Sequence, residues 1–277
     1  MAFDQSAVYD HSMGYDHHRH AGNAGDLWKH LVLAEVADHL FEAGIRVYVE
    51  SHVGYREYVL SPGGEWMGGI GRLWPHREEL ARYSYFQILG DLNPTGLERY
   101  PGSASIVLEI AKRRGIALRA ELWDSSPKVE VAWRSLEKGR RLKDLHFHLG
   151  DGFSGAGELA VDLKGSALLL VDSPYIERGD AALARELISK SAAAGWVALS
   201  WQPMGLEMSP RPPCEFREFA LRFEEAGLVC GPMEGASMIL AWDEGAFPGR
   251  VVKGLIEELG RIEEDFPNIA GRMSESF

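Results

Sequence analysis

Cysteine is scarce in this sequence, with only Cys214 and Cys230 among its 277 residues. A disulfide framework needs more cysteines and a cysteine-based zinc site needs a closer spacing, so neither is supported. The histidine-rich segment from His11 to His20 does not change this, because metal ligands need fixed geometry and supporting contacts, and no metal site is predicted. Free thiols are typical of a reducing compartment, and we expect a cytoplasmic protein.

Long apolar runs are missing as well. No stretch approaches the roughly 20 residues that a helix needs to span a bilayer, so no membrane partner is expected. The opening segment, M-A-F-D-Q-S-A-V-Y-D, is polar and predicts that the protein is not exported. The patterns G-x-x-x-x-G-K-[ST] and G-x-S-x-G are both absent, which argues against a P-loop nucleotide hydrolase and an α/β-hydrolase.

Positive charge is in short supply, with 29 Lys and Arg against 41 Asp and Glu and a formal net charge of −12 at pH 7. A protein that binds nucleic acid through bulk charge alone has the opposite balance, so that class is disfavoured. An enzyme with one local basic face stays open.

What the sequence does contain is a regular alternation of strand-like and helix-like segments, which predicts an α/β fold with a mainly parallel sheet covered on both faces. The predicted strands are Ile45–Val49, Gly115–Leu122, His146–Leu149, Ala167–Val171, Trp196–Trp201 and Ser237–Trp242. The predicted helices start with one from Asp26 to Gly44 and continue with Ser103–Lys112, Pro127–Glu137, Ala181–Ala194, Glu215–Ala226 and Val251–Glu264.

One connection is too long for a single crossover helix. It predicts a helical insertion at residues 61–99, which divides the main domain into residues 1–60 and 100–277. We expect the insertion's aromatic residues to form a small core of their own rather than a base-stacking platform: Trp66, Trp74, Tyr83, Tyr85 and Phe86.

Polar residues follow the predicted strands where ligands bind in open α/β sheets, beyond the carboxyl ends. The first strand is followed by Glu50, Ser51 and His52, the second ends near Glu121, and the third precedes Asp151 and Gly152. A carboxylate at the end of the second strand is suited to accept both hydroxyls of a ribose. The buried fourth strand leads into Asp172-Ser173-Pro174-Tyr175.

This last segment, D-S-P-Y, differs by one residue from the D-P-P-Y signature of enzymes that methylate amino groups of nucleic-acid bases. An adenine amine is a poor nucleophile, and two acceptors, the Asp172 carboxylate and the Ser173 carbonyl, would hydrogen-bond its two N–H groups and stabilise developing charge. Pro174 stiffens the turn, and Tyr175 offers a flat face to the base. Taken alone, the segment would also suit an ordinary turn.

A series of motifs, from about residue 15 to residue 242, resembles the RlmJ-type 23S ribosomal RNA adenine-N6-methyltransferases. The family's H-A-G-N-x-x-D-x-x-K-H matches His20 to His30, and its D-P-P-Y falls on Asp172 to Tyr175. Its T-H-A-G, Y-P-G-S, E-L and D-G-F motifs match Ser51–Gly54, Tyr100–Ser103, Glu121–Leu122 and Asp151–Phe153.

The resemblance implies a Rossmann-like class I methyltransferase with S-adenosylmethionine as donor and one adenine of naked 23S ribosomal RNA as target. It implies Asp172 as the catalytic residue and Lys29 as a functional lysine at the cofactor. The other cofactor contacts that it implies are His30, His52, Ser103, Glu121, Asp151 and Gly152. We expect a monomer.

Two departures from the family keep other hypotheses open. Ser173 replaces a proline, which predicts a less rigid turn, and Tyr55-Arg56-Glu57 replaces a glycine-rich region, where side chains would crowd the donor. The alternatives are a DNA adenine methyltransferase and a relative that binds cofactor or RNA without catalysis.

Overall fold

The computed structural model describes residues 17–137, 144–163, 165–175, 177, 179–206, 212–245 and 249–274. Its centre is a seven-stranded sheet in the order β5-β4-β1-β6-β7-β9-β8, and β2 pairs with β3 outside this sheet. The strands are β1 (Val47–Glu50), β2 (Glu57–Val59), β3 (Arg99–Pro101), β4 (Arg119–Asp124), β5 (Leu145–Leu149), β6 (Leu168–Val171), β7 (Val197–Pro203), β8 (Glu215–Arg222) and β9 (Gly235–Trp242).

Helices cover both faces of the sheet. They are α1 (His17–His20), α2 (Ala24–Glu42), α3 (Ile70–Leu73), α4 (Ser84–Leu92), α5 (Ser103–Arg113), α6 (Pro127–Glu137), α7 (Gly152–Asp162), α8 (Asp180–Ala193) and α9 (Gly249–Ser274). Two short 3-10 helices, Glu65–Met67 and Trp74–His76, flank α3. Among the described residues, no helix is long and apolar enough to cross a membrane.

The central strands run parallel and send alternate side chains to opposite faces. β1 pairs in parallel with both β4 and β6, and β6 pairs in parallel with β7. Tyr48 and Leu170 enter the core beneath α2 and α5, whereas Val49 and Leu169 enter the core beneath α7 and α8. A sheet buried on both faces explains why these strands read as continuous apolar runs, and the predicted fold class is confirmed.

Helix α2 begins at a strong cap and is buried on nearly every side. The Asn23 side chain accepts a hydrogen bond from the Asp26 amide at 2.9 Å, and the Asp26 carboxylate accepts one from the Gly22 amide at 3.0 Å. This reciprocal arrangement satisfies amides at the helix start that have no intrahelical partner. It also fixes the first turn of α2, which carries Lys29 and His30 into the site described below.

The helix predicted over Glu215–Ala226 is wrong, because this segment forms β8 and its following turn. Phe219, Leu221 and Phe223 are buried at every second position, which is strand periodicity. β8 pairs antiparallel with β9 along its whole length. The prediction also omitted α7 and the β2–β3 pair.

The insertion is helical, as predicted, but its aromatic residues do not form a separate core. Tyr83, Tyr85 and Phe86 belong to the main core, and Trp66 and Trp74 pack against it. The Tyr85 hydroxyl donates to the Tyr100 hydroxyl at 3.0 Å. Apolar area is removed from water more fully when these rings join the larger core. The division of the chain at residues 61–99 stays a prediction.

Candidate active site

The carboxyl ends of four neighbouring strands surround a polar pocket. Asp124 ends β4, His52 follows β1, Asp172 follows β6 and Trp201 lies near the end of β7, and all four line the pocket. Because the sheet order is β4-β1-β6-β7, these residues cross the pocket in that order. The start of α2 closes the pocket from one side with Asn23, Asp26, Lys29 and His30.

Lys29 joins two carboxylates in the middle of the pocket. Its Nζ lies 2.6 Å from Asp172 Oδ2 and 2.8 Å from Asp26 Oδ1, and the residue is only 8% exposed. Burial alone would lower the pKa of Lys29, but the two carboxylates outweigh it and hold that pKa well above its ordinary value. The pKa of Asp26 is lowered, since Lys29 outweighs the opposing effect of burial. Lys29 therefore stays charged and fixes one oxygen of Asp172. Among the described residues, no hydrogen bond reaches Asp172 Oδ1.

The loop after β6 is held by the hydroxyl of Ser173, which is only 1% exposed. This hydroxyl donates to Asp180 Oδ2 at 3.3 Å and accepts from the Tyr175 amide at 3.2 Å. Asp180 is the first residue of α8 and also accepts from the Glu177 amide. These bonds tie the loop to α8 at the position where the family has proline, and the predicted loss of rigidity stays a prediction.

Tyr175 does not offer a flat face to the pocket. The residue is 6% exposed, its ring belongs to the core beneath α7 and α8, and it is absent from the pocket lining, unlike Pro174. Its hydroxyl donates to the carbonyl of Trp201 at 2.7 Å and lies 3.2 Å from Ser200 Oγ. The stacking role assigned to Tyr175 does not fit this position. Trp201 lines the pocket instead, and the Tyr175 hydroxyl holds its backbone.

The two histidines predicted at the cofactor both line the pocket and are held neutral by burial. Burial and the nearby Lys29 lower the pKa of His30 to about 3, and its Nδ1 lies 2.9 Å from the Tyr100 hydroxyl. Burial also lowers the pKa of His52, although Asp172 and other carboxylates act to raise it. His52 Nδ1 lies 2.8 Å from Ser51 Oγ. Neutral rings can both donate and accept hydrogen bonds.

Glu50, at the end of β1, supports Ser103 from beneath the pocket. The Ser103 hydroxyl donates to Glu50 Oε1, and the Tyr48 hydroxyl donates to Glu50 Oε2 at 2.7 Å. Burial raises the pKa of Glu50 to about 8, against the lowering effect of these two donors. The raised pKa means that this buried carboxyl takes up a proton more readily than an ordinary glutamate.

Glu121 is not where the sequence led us to expect it. The strand was predicted to end at Leu122, but the ladder continues through Trp123 and Asp124, which pair with His148 and Leu149 of β5. The Glu121 carboxylate lies 2.7 Å from Arg119 Nε and 2.6 Å from His148 Nε2 and does not line the pocket.

Asp124 is the carboxylate at the true end of β4. Its Oδ2 accepts from the Gly54 amide at 3.0 Å and its Oδ1 from the Ser126 amide at 2.8 Å. Sequence reasoning missed this residue because the end of the strand was placed too early. The run W-D-S-S-P, with turn-forming residues after the aspartate, was the available signal.

Asp151 and Gly152 lie behind His52 rather than on the pocket wall. Asp151 caps α7 by accepting from the amides of Phe153 and Ser154 at 3.0 and 3.3 Å. These hydrogen bonds outweigh burial and lower the pKa of Asp151. A side chain at Gly152 would overlap the Ser51 carbonyl, so glycine lets the start of α7 approach the loop after β1.

The residues that replace the family's glycine-rich region turn away from the pocket. Arg56 lies over the ring of Trp133 at 5.7 Å, and Glu57 pairs with Arg99. Tyr55, Arg56 and Glu57 are absent from the pocket lining, whereas Gly54 and Tyr58 are part of it. The structure gives no support to the expected crowding of the donor, because none of these three residues lines the pocket, and the expectation stays a prediction.

The rim of the pocket joins the start of the described chain to the insertion. His20 Nδ1 lies 2.8 Å from Glu65 Oε1, and Asn23 Nδ2 donates to Glu65 Oε2 at 3.2 Å. The hydrogen bond to Glu65 is the main cause that raises the pKa of His20. His11 lies outside the described residues. Among those that are described, no group of three His, Cys, Asp or Glu side chains could hold a metal ion.

Comparisons with known proteins identify the family. The family model described as "Ribosomal RNA large subunit methyltransferase D, RlmJ" matches residues 45–206. The Haemophilus influenzae protein "Ribosomal RNA large subunit methyltransferase J" is 31% identical over 214 residues, which cover 72% of this chain and 73% of the relative. The Escherichia coli K12 protein of the same name is 28% identical over 206 residues, 70% of this chain and 71% of the relative.

A solved structure agrees at the level of the fold. The crystal structure of protein LPL1258 from Legionella pneumophila strain Philadelphia 1 has a TM-score of 0.67 and 20% sequence identity. The match covers 88% of this chain and 94% of that one. The family match spans the pocket-forming strands β1, β4, β6 and β7, and the predicted resemblance is confirmed. The chain belongs to the RlmJ family of ribosomal RNA large subunit methyltransferases.

Proposed function

We propose that this enzyme transfers the methyl group of S-adenosylmethionine to the N6 amine of an adenine in 23S ribosomal RNA. The observation that carries the proposal is the Asp172 carboxylate, which Lys29 holds by one oxygen in the centre of the pocket. The second oxygen, Oδ1, and the carbonyl of Ser173 accept the two N–H groups of the amine. Fixed acceptors of this kind stabilise the positive charge that develops on the nitrogen.

The pocket suits a cationic donor. Among its described lining residues, the carboxylates of Asp26, Asp124 and Asp172 stand against the ammonium of Lys29, so this part of the lining has a net negative charge. When bound, S-adenosylmethionine supplies a methyl group on a positively charged sulfur. The same negative charge repels phosphates, so a target base enters the pocket while the RNA backbone stays outside.

Donor contacts are proposed at the end of the pocket formed by β1 and β4. We call His52, Ser103 and Asp124 the donor end, and His20, Trp201 and Met233 the base end. Asp124 takes the ribose-binding role that the resemblance assigned to Glu121, because Asp124 faces the pocket. His52, Ser103, Lys29 and His30 frame the methionine moiety. Asp151 and Gly152 shape the donor end from outside the lining, Asp151 by capping α7 and Gly152 by letting α7 approach the loop after β1.

The third hypothesis, a relative without catalysis, depended on two departures from the family. The arrangement of both segments favours catalysis instead, since Ser173 is hydrogen-bonded to Asp180 and residues 55–57 lie outside the pocket lining. No specific observation favours DNA over RNA, so DNA is treated as an outcome of the test. Action on ribosomal RNA would place the enzyme in the cytoplasm, and we propose that it acts as a monomer.

The test measures transfer of labelled methyl groups to naked 23S RNA, to assembled large subunits and to double-stranded DNA, followed by mapping of the modified base. We expect label at N6 of one adenine, with naked RNA as the preferred substrate. Label only on DNA, or on another atom of the base, would contradict the proposal. A substitution of Asp91, an exposed residue outside the pocket lining, is the control for activity lost during purification of a variant.

A further inference from the structure

The indole of Trp201 is the aromatic surface at the base end of the pocket. Trp201 lies in β7, the strand next to β6, and β6 leads into Asp172. Parallel pairing places Val171 opposite Ser200. The next residue of each segment, Asp172 and Trp201, therefore lies at the same edge of the sheet. Both residues line the pocket.

Lys29 gives the scale of the separation between the indole and the carboxylate. Its Nζ lies 5.9 Å from the centroid of the Trp201 ring and 2.6 Å from Asp172 Oδ2. The ring and the carboxylate therefore flank the same ammonium group. An adenine whose amine reaches Asp172 has its ring system within the span of the indole, because a purine is itself several ångströms long.

Trp201 is held through its backbone and contacted at its indole. The Tyr175 hydroxyl donates to the backbone carbonyl of Trp201 at 2.7 Å, and the two rings lie 6.3 Å apart. From the side, α2 approaches closely: a Cβ at Gly25 would lie 3.2 Å from the indole Cζ2. A held aromatic ring loses little side-chain entropy when it binds a base.

We propose, on the basis of the function proposed above, that Trp201 provides the stacking face for the target adenine and that Tyr175 positions Trp201 from below. Stacking tolerates any base, so it supplies affinity, while the acceptors at Asp172 and Ser173 select the amine. In this arrangement Trp201 contacts the substrate directly. Tyr175 acts only through Trp201, since its ring is buried in the core.

Calorimetry with the full chain tests the proposal. S-adenosylhomocysteine first fills the donor end, and adenosine monophosphate is then titrated as the probe for the base end. Base–aromatic stacking contributes about 1–3 kcal/mol, and 1.4 kcal/mol corresponds to a tenfold change in affinity. Trp201→Ala should therefore lower the affinity for the probe by roughly 5- to 150-fold. Trp201→Phe keeps a flat ring and should stay within about threefold of wild type.

Two further variants distinguish the loss of stacking from a structural change in the pocket. Trp201→Leu keeps apolar bulk without a flat face and should lose affinity for the probe like alanine, with S-adenosylhomocysteine binding unchanged. Tyr175→Phe removes only the hydroxyl and should weaken the probe by about threefold, the size of one neutral hydrogen bond. Trp74→Ala, at a half-buried tryptophan of the insertion outside the pocket lining, is the matched control and should bind as wild type.

The inference is overturned if Trp201→Leu binds the probe as tightly as wild type, or if wild type with S-adenosylhomocysteine does not bind the probe at all. Neither measurement uses methyl transfer. A wild-type protein that binds the probe through Trp201 but methylates no RNA would contradict the proposed function and leave the inference standing.

Discussion

At the donor end of the pocket, His52 follows β1, Asp124 ends β4, and Ser103 begins α5, where its hydroxyl donates to Glu50. At the base end, the lining comes from segments that are far apart in the chain, namely His20, Trp201 and Met233. Two of the three donor-end residues are therefore placed directly by the ends of their strands. The base end exists only because the insertion, α1, β7 and the connection between β8 and β9 meet in the folded protein.

The strongest test of the comparison is the residue between the two ends. Asp172→Ala should lower kcat by at least about 100- to 1000-fold, because it removes a fixed acceptor that stabilises charge in the transition state. Binding of S-adenosylmethionine, measured by calorimetry, should change little. Methyl transfer that persists in this variant would show that Asp172 is not the catalytic acceptor.

Two carboxylates of β4 can be compared to test which of them binds the donor. Asp124→Asn should lower the affinity for S-adenosylmethionine about 10- to 100-fold, since a hydrogen bond to a charged group contributes about 1.5–3 kcal/mol. Glu121→Gln should weaken it far less, because Glu121 bonds to Arg119 and His148 instead of facing the pocket. The reverse ranking in a calorimetric titration would restore the role that the family resemblance gives to Glu121.

The link between the two ends depends on the anchored loop after β6. Ser173→Ala should lower the free energy of unfolding by about 1 kcal/mol and kcat by a few fold, because the Tyr175 amide loses its acceptor. Ser173→Pro should recover part of kcat by restricting the backbone. Thermal melts and single-turnover rates would check both, and equal rates for all three proteins would show that the hydroxyl does not matter.

The smallest effect is expected at the rim of the base end. The pKa of His20 is raised by Glu65, so this contact contributes fully below the ordinary His pKa of about 6.5 and is lost as pH rises through the folded value. Above that value the start of α2 should open more often. Hydrogen exchange at the Gly22 to Ala24 amides, corrected for its intrinsic pH dependence, measures this opening. Glu65→Gln should remove the pH step, and a step of unchanged size would assign it to another group.

The fold was largely predictable because its signals are local. Buried parallel strands such as Leu168–Val171 appear in the sequence as apolar runs. Helices such as Pro127–Glu137 are recognised by apolar residues at helical spacing. The segment Glu215–Arg222 was misread because Phe216, Phe219 and Phe223 are three and four residues apart, a spacing that is typical of a helix. Only its pairing with β9 settles the strand.

The family, most of the central strands and helices along the chain, and the position of Asp172 after a strand end could be read from the sequence, since each depends on motifs and on residues adjacent to a strand end. The tertiary structure alone decided that Asp124 and not Glu121 faces the pocket, and that Trp201 rather than Tyr175 lines it. Which side chain turns toward a ligand depends on where a ladder ends and on what packs beneath it. Those contacts join residues that are distant in the chain, so no local pattern records them.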